Sequence, residues 1–90
     1  MGETYNFAEH TIRRTMADQI VFLQTVSSQY YVASGVGLII CDQIDKGLSF
    51  DSIVAHICET FDVDKNTATK DAMTFCSSLE SAGIIIKTSN

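Results

Sequence analysis

Ninety residues suffice for one domain that buries roughly 60 to 65% of its unfolded surface, which leaves little room for a deep catalytic cleft. Six lysines and arginines against eleven aspartates and glutamates give a net charge of −5. That balance repels nucleic acid and anionic membrane, so neither is an expected partner.

The chain has no proline, no low-complexity run and no internal repeat. Its start, "MGETYNFAEH", lacks a cationic region followed by an apolar one, so no export signal is expected. Asn6 stands where a myristoylation pattern wants a hydroxyl. Residues 1–10 are expected to form a flexible N-terminal segment, and 11–87 a single domain.

Strand patterns come first. "TIRRTM" (Thr11 to Met16) alternates, Ala17-Asp18 offers a turn, and "QIVFLQT" (Gln19 to Thr25) is rich in β-branched and aromatic residues. "VSS" turns the chain into "QYYVA" (Gln29 to Ala33), which completes an antiparallel meander with Tyr30 and Tyr31 on an edge strand. Either Tyr31 or the pair Tyr30 and Val32 faces inward, since side chains alternate.

After Ser34, read as an N-cap, the period changes to 3.6, and Val36, Ile39, Ile40 and Ile44 share one side of a helix running to about Asp45. Gly47 stops it. A second helix opens at Ser49 with Asp51 in its first turn and an apolar face of Ile53, Val54, Ile57, Cys58 and Phe61. Asp64 caps a third, on which Ala68, Ala72, Phe75, Cys76 and Leu79 recur at helical spacing up to a stop at Gly83. "IIIK" (Ile84 to Lys87) is an apolar tail compatible with a strand. The expected fold is α+β and winged-helix-like: a three-stranded antiparallel sheet followed by three helices, βββααα.

Cys41, Cys58 and Cys76 are odd in number and far apart, and fall among apolar residues, so they read as buried free thiols. With only His10 and His56 to join them, no metal site is expected. The longest apolar stretch, Tyr30 to Cys41, is about twelve residues against the ~20 needed to span a bilayer. The cytoplasm is the expected location. Carboxylates are scattered, no phosphate loop appears, and the histidines lack a carboxylate partner, so neither catalysis nor a cofactor is expected.

The strand ending in "YYV", the helix ending "IICDQID", then "LSFDSIVAHICETFDVD" and "ATKDAMTFCSSLESAGII" resemble the PqqD-like family. These are the recognition elements that bind leader peptides of ribosomally made, modified peptides, lasso peptides included. The resemblance covers about Ile12 to Ile86 and rests on apolar spacing with Asp62, Asp64, Asp71 and Gly83 rather than on a catalytic signature. Ala33-Ser34 stands where the family commonly has Leu-Asn, and Cys41 where it often has Trp. These smaller residues leave room that other side chains must fill.

The resemblance implies that a leader peptide adds as an antiparallel strand to the third strand and sends side chains into a cleft beside the third helix. Backbone pairing supplies affinity and side-chain pockets supply specificity. Carried over by position, the site is Ser28, Gln29, Tyr30, Tyr31, Val32 and Ala33 on the strand, with Thr69, Met73, Cys76 and Glu80 on one flank of the third helix. Ala72 and Leu79 are core. The implied role is a non-catalytic adaptor that hands a precursor to a separate maturation enzyme, whether protease, cyclase or radical enzyme. A monomer is expected, or a weak homodimer through the exposed edge.

Two alternatives rank lower. A winged-helix regulator would read DNA with the third helix, yet Asp64 to Ala82 holds Lys65 and Lys70 against Asp64, Asp71 and Glu80, two minus three, or −1. A carrier protein would use Ser52 within Asp51-Ser52-Ile53, but the strand patterns ahead of it do not suit an all-helical carrier. Arg13 and Arg14 read as a solvated strand face.

Overall fold

The computed structural model describes residues 3–88. The elements are β1 (Thr4–Phe7), β2 (Thr11–Thr15), β3 (Gln19–Gln24), β4 (Gln29–Ser34), α1 (Val36–Asp45), α2 (Phe50–Phe61), α3 (Lys65–Ser81) and β5 (Ile85–Thr88). Strands β2, β3 and β4 form an antiparallel meander in that order, with Phe22 opposite both Arg13 and Tyr31. Strands β1 and β5 make a second sheet, pairing Tyr5 with Lys87 and Phe7 with Ile85. No helix among the described residues is long and apolar enough to cross a membrane.

Class α+β stands, but the expected order of a single three-stranded sheet followed by three helices is corrected to two sheets with the helices between β4 and β5. The cause lies in the segment expected to be flexible. Four residues, "TYNF", make no stable strand alone, and their partner is at the opposite end of the chain. Pairing with β5 leaves Tyr5 only 4% exposed. Residues 1–2, the remaining start of that segment, lie outside the described residues.

Several helix ends have local causes. Ser49 Oγ accepts the Ser52 N–H of α2, and Asp64 Oδ1 accepts the Thr67 N–H of α3 at 2.9 Å, each satisfying an otherwise orphaned donor. At α1 the expectation is corrected: Ser34 ends β4, and Gly35 holds the cap position at φ 57° with no side-chain cap. Helices α1 and α3 end alike. Gly47 and Gly83 take positive φ, and the following N–H groups of Leu48 and Ile84 reach back to the carbonyls of Gln43 and Leu79. This is a Schellman closure, which favours glycine because a Cβ is strained there.

The core joins both sheets to all three helices through Phe22, Ile40, Ile53, Ile57, Leu79 and Ile85, all buried. Each contributes ~1.5 to 3 kcal/mol by removal from water. Cys41 and Cys76 are buried as expected, whereas Cys58 is half-buried and Phe61 is exposed at the end of α2. Arg13 is also not a merely solvated residue. Its Nη1 and Nη2 donate to the two Asp45 carboxylate oxygens at 2.6 and 2.8 Å, and its guanidinium lies 4.4 Å from the centre of the Phe7 ring. Phe7 in turn stacks on Phe22 at 5.4 Å.

Candidate functional site

Among the described residues β4 is paired on one side only, and its other side borders a groove whose far wall is α3. Alternation along β4 decides the orientation that the sequence leaves open. Ala33 is buried and Tyr31 half-buried against the helices, while Tyr30 and Val32 project from the opposite face. On that outer face they lie level with Leu23 and Ile12 and with Val21 and Arg14.

Phe75 packs over Gly37 of α1, which lies close to Ala33 of β4. A Cβ on Gly37 would stand 2.7 Å from the Phe75 ring and 3.4 Å from the Ala33 Cβ, so a larger residue in place of the glycine would force the ring to shift. Tyr31 meets Phe75 edge-on, with ring centres 6.0 Å apart and planes at 81°, a favoured aromatic geometry.

The groove has a volume of about 950 Å³. Gln29, Tyr30 and Tyr31 form its strand wall, and Met73, Thr74, Ser77, Ser78, Ser81 and Ala82 its helix wall. None of these residues carries a charge. Ser78 Oγ donates to the Thr74 carbonyl at 3.0 Å, which leaves its lone pairs as acceptors. A second cavity of about 470 Å³ continues past Tyr31 toward Ser34 and Gly37, and includes Lys70 and Asp71.

Both walls are tied at one end by Gln24. Its Oε1 accepts the Val26 and Ser27 N–H groups at 2.7 and 3.3 Å, and its Nε2 donates to the Gly83 carbonyl at 3.1 Å. One side chain thereby joins the β3–β4 turn to the turn that ends α3. Ser28 sits in the former turn at φ 59°, its N–H bonded to the Gln24 carbonyl at 2.7 Å.

The structure brings together only part of the sequence-derived set. Gln29, Tyr30, Tyr31 and Met73 line the groove, and Met73 is 56% exposed. Val32 and Ala33 belong to β4, facing out and in respectively, and do not line the groove. Thr69 instead lines a separate cavity of about 480 Å³ between α2 and α3, with Phe50, Val54 and Cys58. Cys76 is 1% exposed and hydrogen-bonded with Tyr5, and the half-buried Glu80 lies near the same pair. Those three sit on the flank of α3 away from β4. The overlooked residues are Thr74, Ser77, Ser78, Ser81 and Ala82. Their signal was a stripe of hydroxyls at 74, 77, 78 and 81, at the i, i+3, i+4 and i+7 spacing of one helix face.

Two of the three thiols are held in the protonated form by burial. Burial pushes the Cys41 thiol up to about 12 and the Cys76 thiol up to about 11, in the latter case against a lowering by its bond with Tyr5. Both are protonated at neutral pH, and the thiolate is the reactive and ligating form. Among the described residues, no three His, Cys, Asp or Glu side chains gather as a metal would need.

Two solved structures are similar to this chain over nearly their whole lengths. One is TbiB1, in complex with the TbiA(beta) leader peptide, with a TM-score of 0.85, 21% identity, and coverage of 94% of this chain and 99% of that one. The other is a lasso peptide synthetase B1 complexed with the leader peptide, with a TM-score of 0.83, 16% identity, and coverage of 91% and 96%. At such identities the likeness establishes the fold. No curated protein matches the chain. The sequence pattern of the family described as coenzyme PQQ synthesis protein D (PqqD) matches residues 19–85, from the start of β3 into β5. The chain therefore belongs to the PqqD family.

Proposed function

We propose that this protein is a non-catalytic adaptor that captures the leader segment of a ribosomally made precursor peptide and delivers the precursor to a separate maturation enzyme. The observation that carries this reading is the unpaired edge of β4 running beside an uncharged groove. An extended peptide gains main-chain hydrogen bonds from such an edge, and its alternate side chains enter the groove. Membership of the PqqD family supports the reading, as do the leader peptides bound to both structural relatives.

In this reading the guest pairs antiparallel with Gln29 to Ala33, while Tyr31 and Met73 contact its inward side chains. The adaptor accelerates maturation by raising the effective concentration of precursor at the enzyme. The outer face of the meander, where Ile12, Tyr30 and Val32 are exposed, supplies an apolar surface beside the guest for that enzyme.

An amide NMR titration of the labelled protein with a synthetic leader of the precursor encoded beside it tests the proposal. Shifts concentrated on Gln29 to Ser34 and on Met73 to Ala82 are expected. Shifts confined to the Thr69, Cys76 and Glu80 flank, or no shift at near-millimolar peptide, would overturn it.

A further inference from the structure

The groove beside β4 is divided. Tyr31, Thr74 and Ser78 line both the 950 Å³ cavity and the 470 Å³ cavity, so these three residues form the partition between them. Tyr31 is the tall member. Its ring is held edge-on by Phe75, and Phe75 is itself lodged over Gly37, where even a Cβ would collide. The Tyr31 ring is thus backed by Phe75, which sits over Gly37 of α1.

A strand added to β4 places residues directly opposite host residues on the same face, with Cβ atoms ~4.5 to 5.5 Å apart. The host positions on the groove side are Gln29, Tyr31 and Ala33, because Tyr31 and Ala33 face inward and Gln29 shares their alternation. A guest side chain opposite Gln29 therefore points into the larger cavity, and one opposite Ala33 into the smaller. Between them, the guest side chain opposite Tyr31 meets the aromatic wall.

We infer that the Tyr31 wall makes this protein select guest strands with two anchoring side chains four residues apart and a small residue midway between them. The span follows from the positions 29 and 33 on β4 and corresponds to ~13 to 14 Å along an extended chain. The larger, uncharged cavity takes the bulkier anchor. The rule holds for either direction of the guest, since the midpoint is the same.

This inference rests on the proposed capture of a guest strand, and one experiment separates the two. A synthetic leader peptide is scanned with single alanine and single tryptophan substitutions, and affinities are measured against the wild-type protein and Tyr31→Val. Valine keeps strand propensity while removing the ring. Alanine is expected to weaken binding at two positions four apart, and tryptophan at their midpoint to weaken it about tenfold or more, the scale of overpacking. Against Tyr31→Val the midpoint tryptophan peptide should recover to near the affinity of the parent peptide.

Phe75→Leu, which removes the support of the ring, should give partial recovery, and it serves as the second variant if Tyr31→Val does not fold. A parent peptide that binds while midpoint tryptophan is tolerated, or is not rescued by either variant, overturns the inference and leaves the capture reading standing. A parent peptide that does not bind overturns both.

Discussion

The two flanks of α3 carry similarly small and polar residues and end in opposite states. On one, Cys76 and Glu80 are covered by the β1–β5 pair, with Tyr5 and Ile85 almost fully buried. On the other, Thr74, Ser77 and Ser78 look across open space to β4. One flank has received its strand pair from the chain itself. The other stands beside a strand edge that no described element completes. A domain of this size thus seals one side of its central helix and keeps the other for a guest, with the difference set by where the terminal strands go.

Replacing Leu79 by Ala should produce the largest effect, since that fully buried side chain lies on the stripe that both flanks share. A loss of ~2 to 5 kcal/mol in unfolding free energy is expected. Chemical denaturation would measure it, and a loss below 1 kcal/mol would mean that the core is less tightly packed than described.

The closed flank should also respond to alkali. The unfolded Cys76 thiol ionises near the ordinary 9.0, while burial makes the native one hold its proton to about 11. Because the native pKa is the raised one, this contribution is complete below the unfolded value and is lost as pH rises through the native value. Stability should fall across that window by about 1.4 kcal/mol per pH unit for one fully resisting thiol. Cys41, pushed up to about 12, adds a similar loss. Denaturation curves of Cys76→Ala and wild type should converge above pH 9 if the assignment is right.

The open flank should answer in binding instead. Met73→Glu puts a charge into the groove and should weaken leader affinity by ~1 to 3 kcal/mol, read by calorimetry, with circular dichroism and melting temperature nearly unchanged. If melting fell as far as affinity, the two flanks would not be separable.

The smallest effect belongs to the cap that serves both. The Thr67 hydroxyl and then the Thr67 N–H hold the Asp64 carboxyl below the usual carboxylate range. A lowered native pKa gives stability that is present above the unfolded value and lost as pH falls through the native one. Asp64→Ala should therefore lower the melting temperature slightly near neutrality and leave the two proteins alike in strong acid. Leader affinity should not change.

Much of this molecule was legible before folding. Ser49 and Asp64 announce α2 and α3 because a cap is a local hydrogen bond, and Gly47 and Gly83 announce helix ends because positive φ is a local restriction. Likewise β3 follows from its β-branched and aromatic residues, β4 from the turn before it, and the burial of Ala72 and Leu79 from helical period. Strand β1 was not legible, because its partner β5 is a whole chain away and four residues carry no period. Nor was the stacking of Arg13 on Phe7, which depends on that same pairing.

The sequence by itself determined the stripe of α3 that is buried, the presence of an edge strand in "QYYVA", and Met73 as a large apolar residue off the stripe. Helical and strand periods are properties of neighbouring residues, so one chain suffices to read them. Only the tertiary structure decided which flank of α3 faces that edge. Two flanks symmetric about a stripe are equivalent until α3 is docked. The β1–β5 pair then covers Cys76 and Glu80, leaving the hydroxyl stripe of Thr74, Ser77, Ser78 and Ser81 turned toward β4.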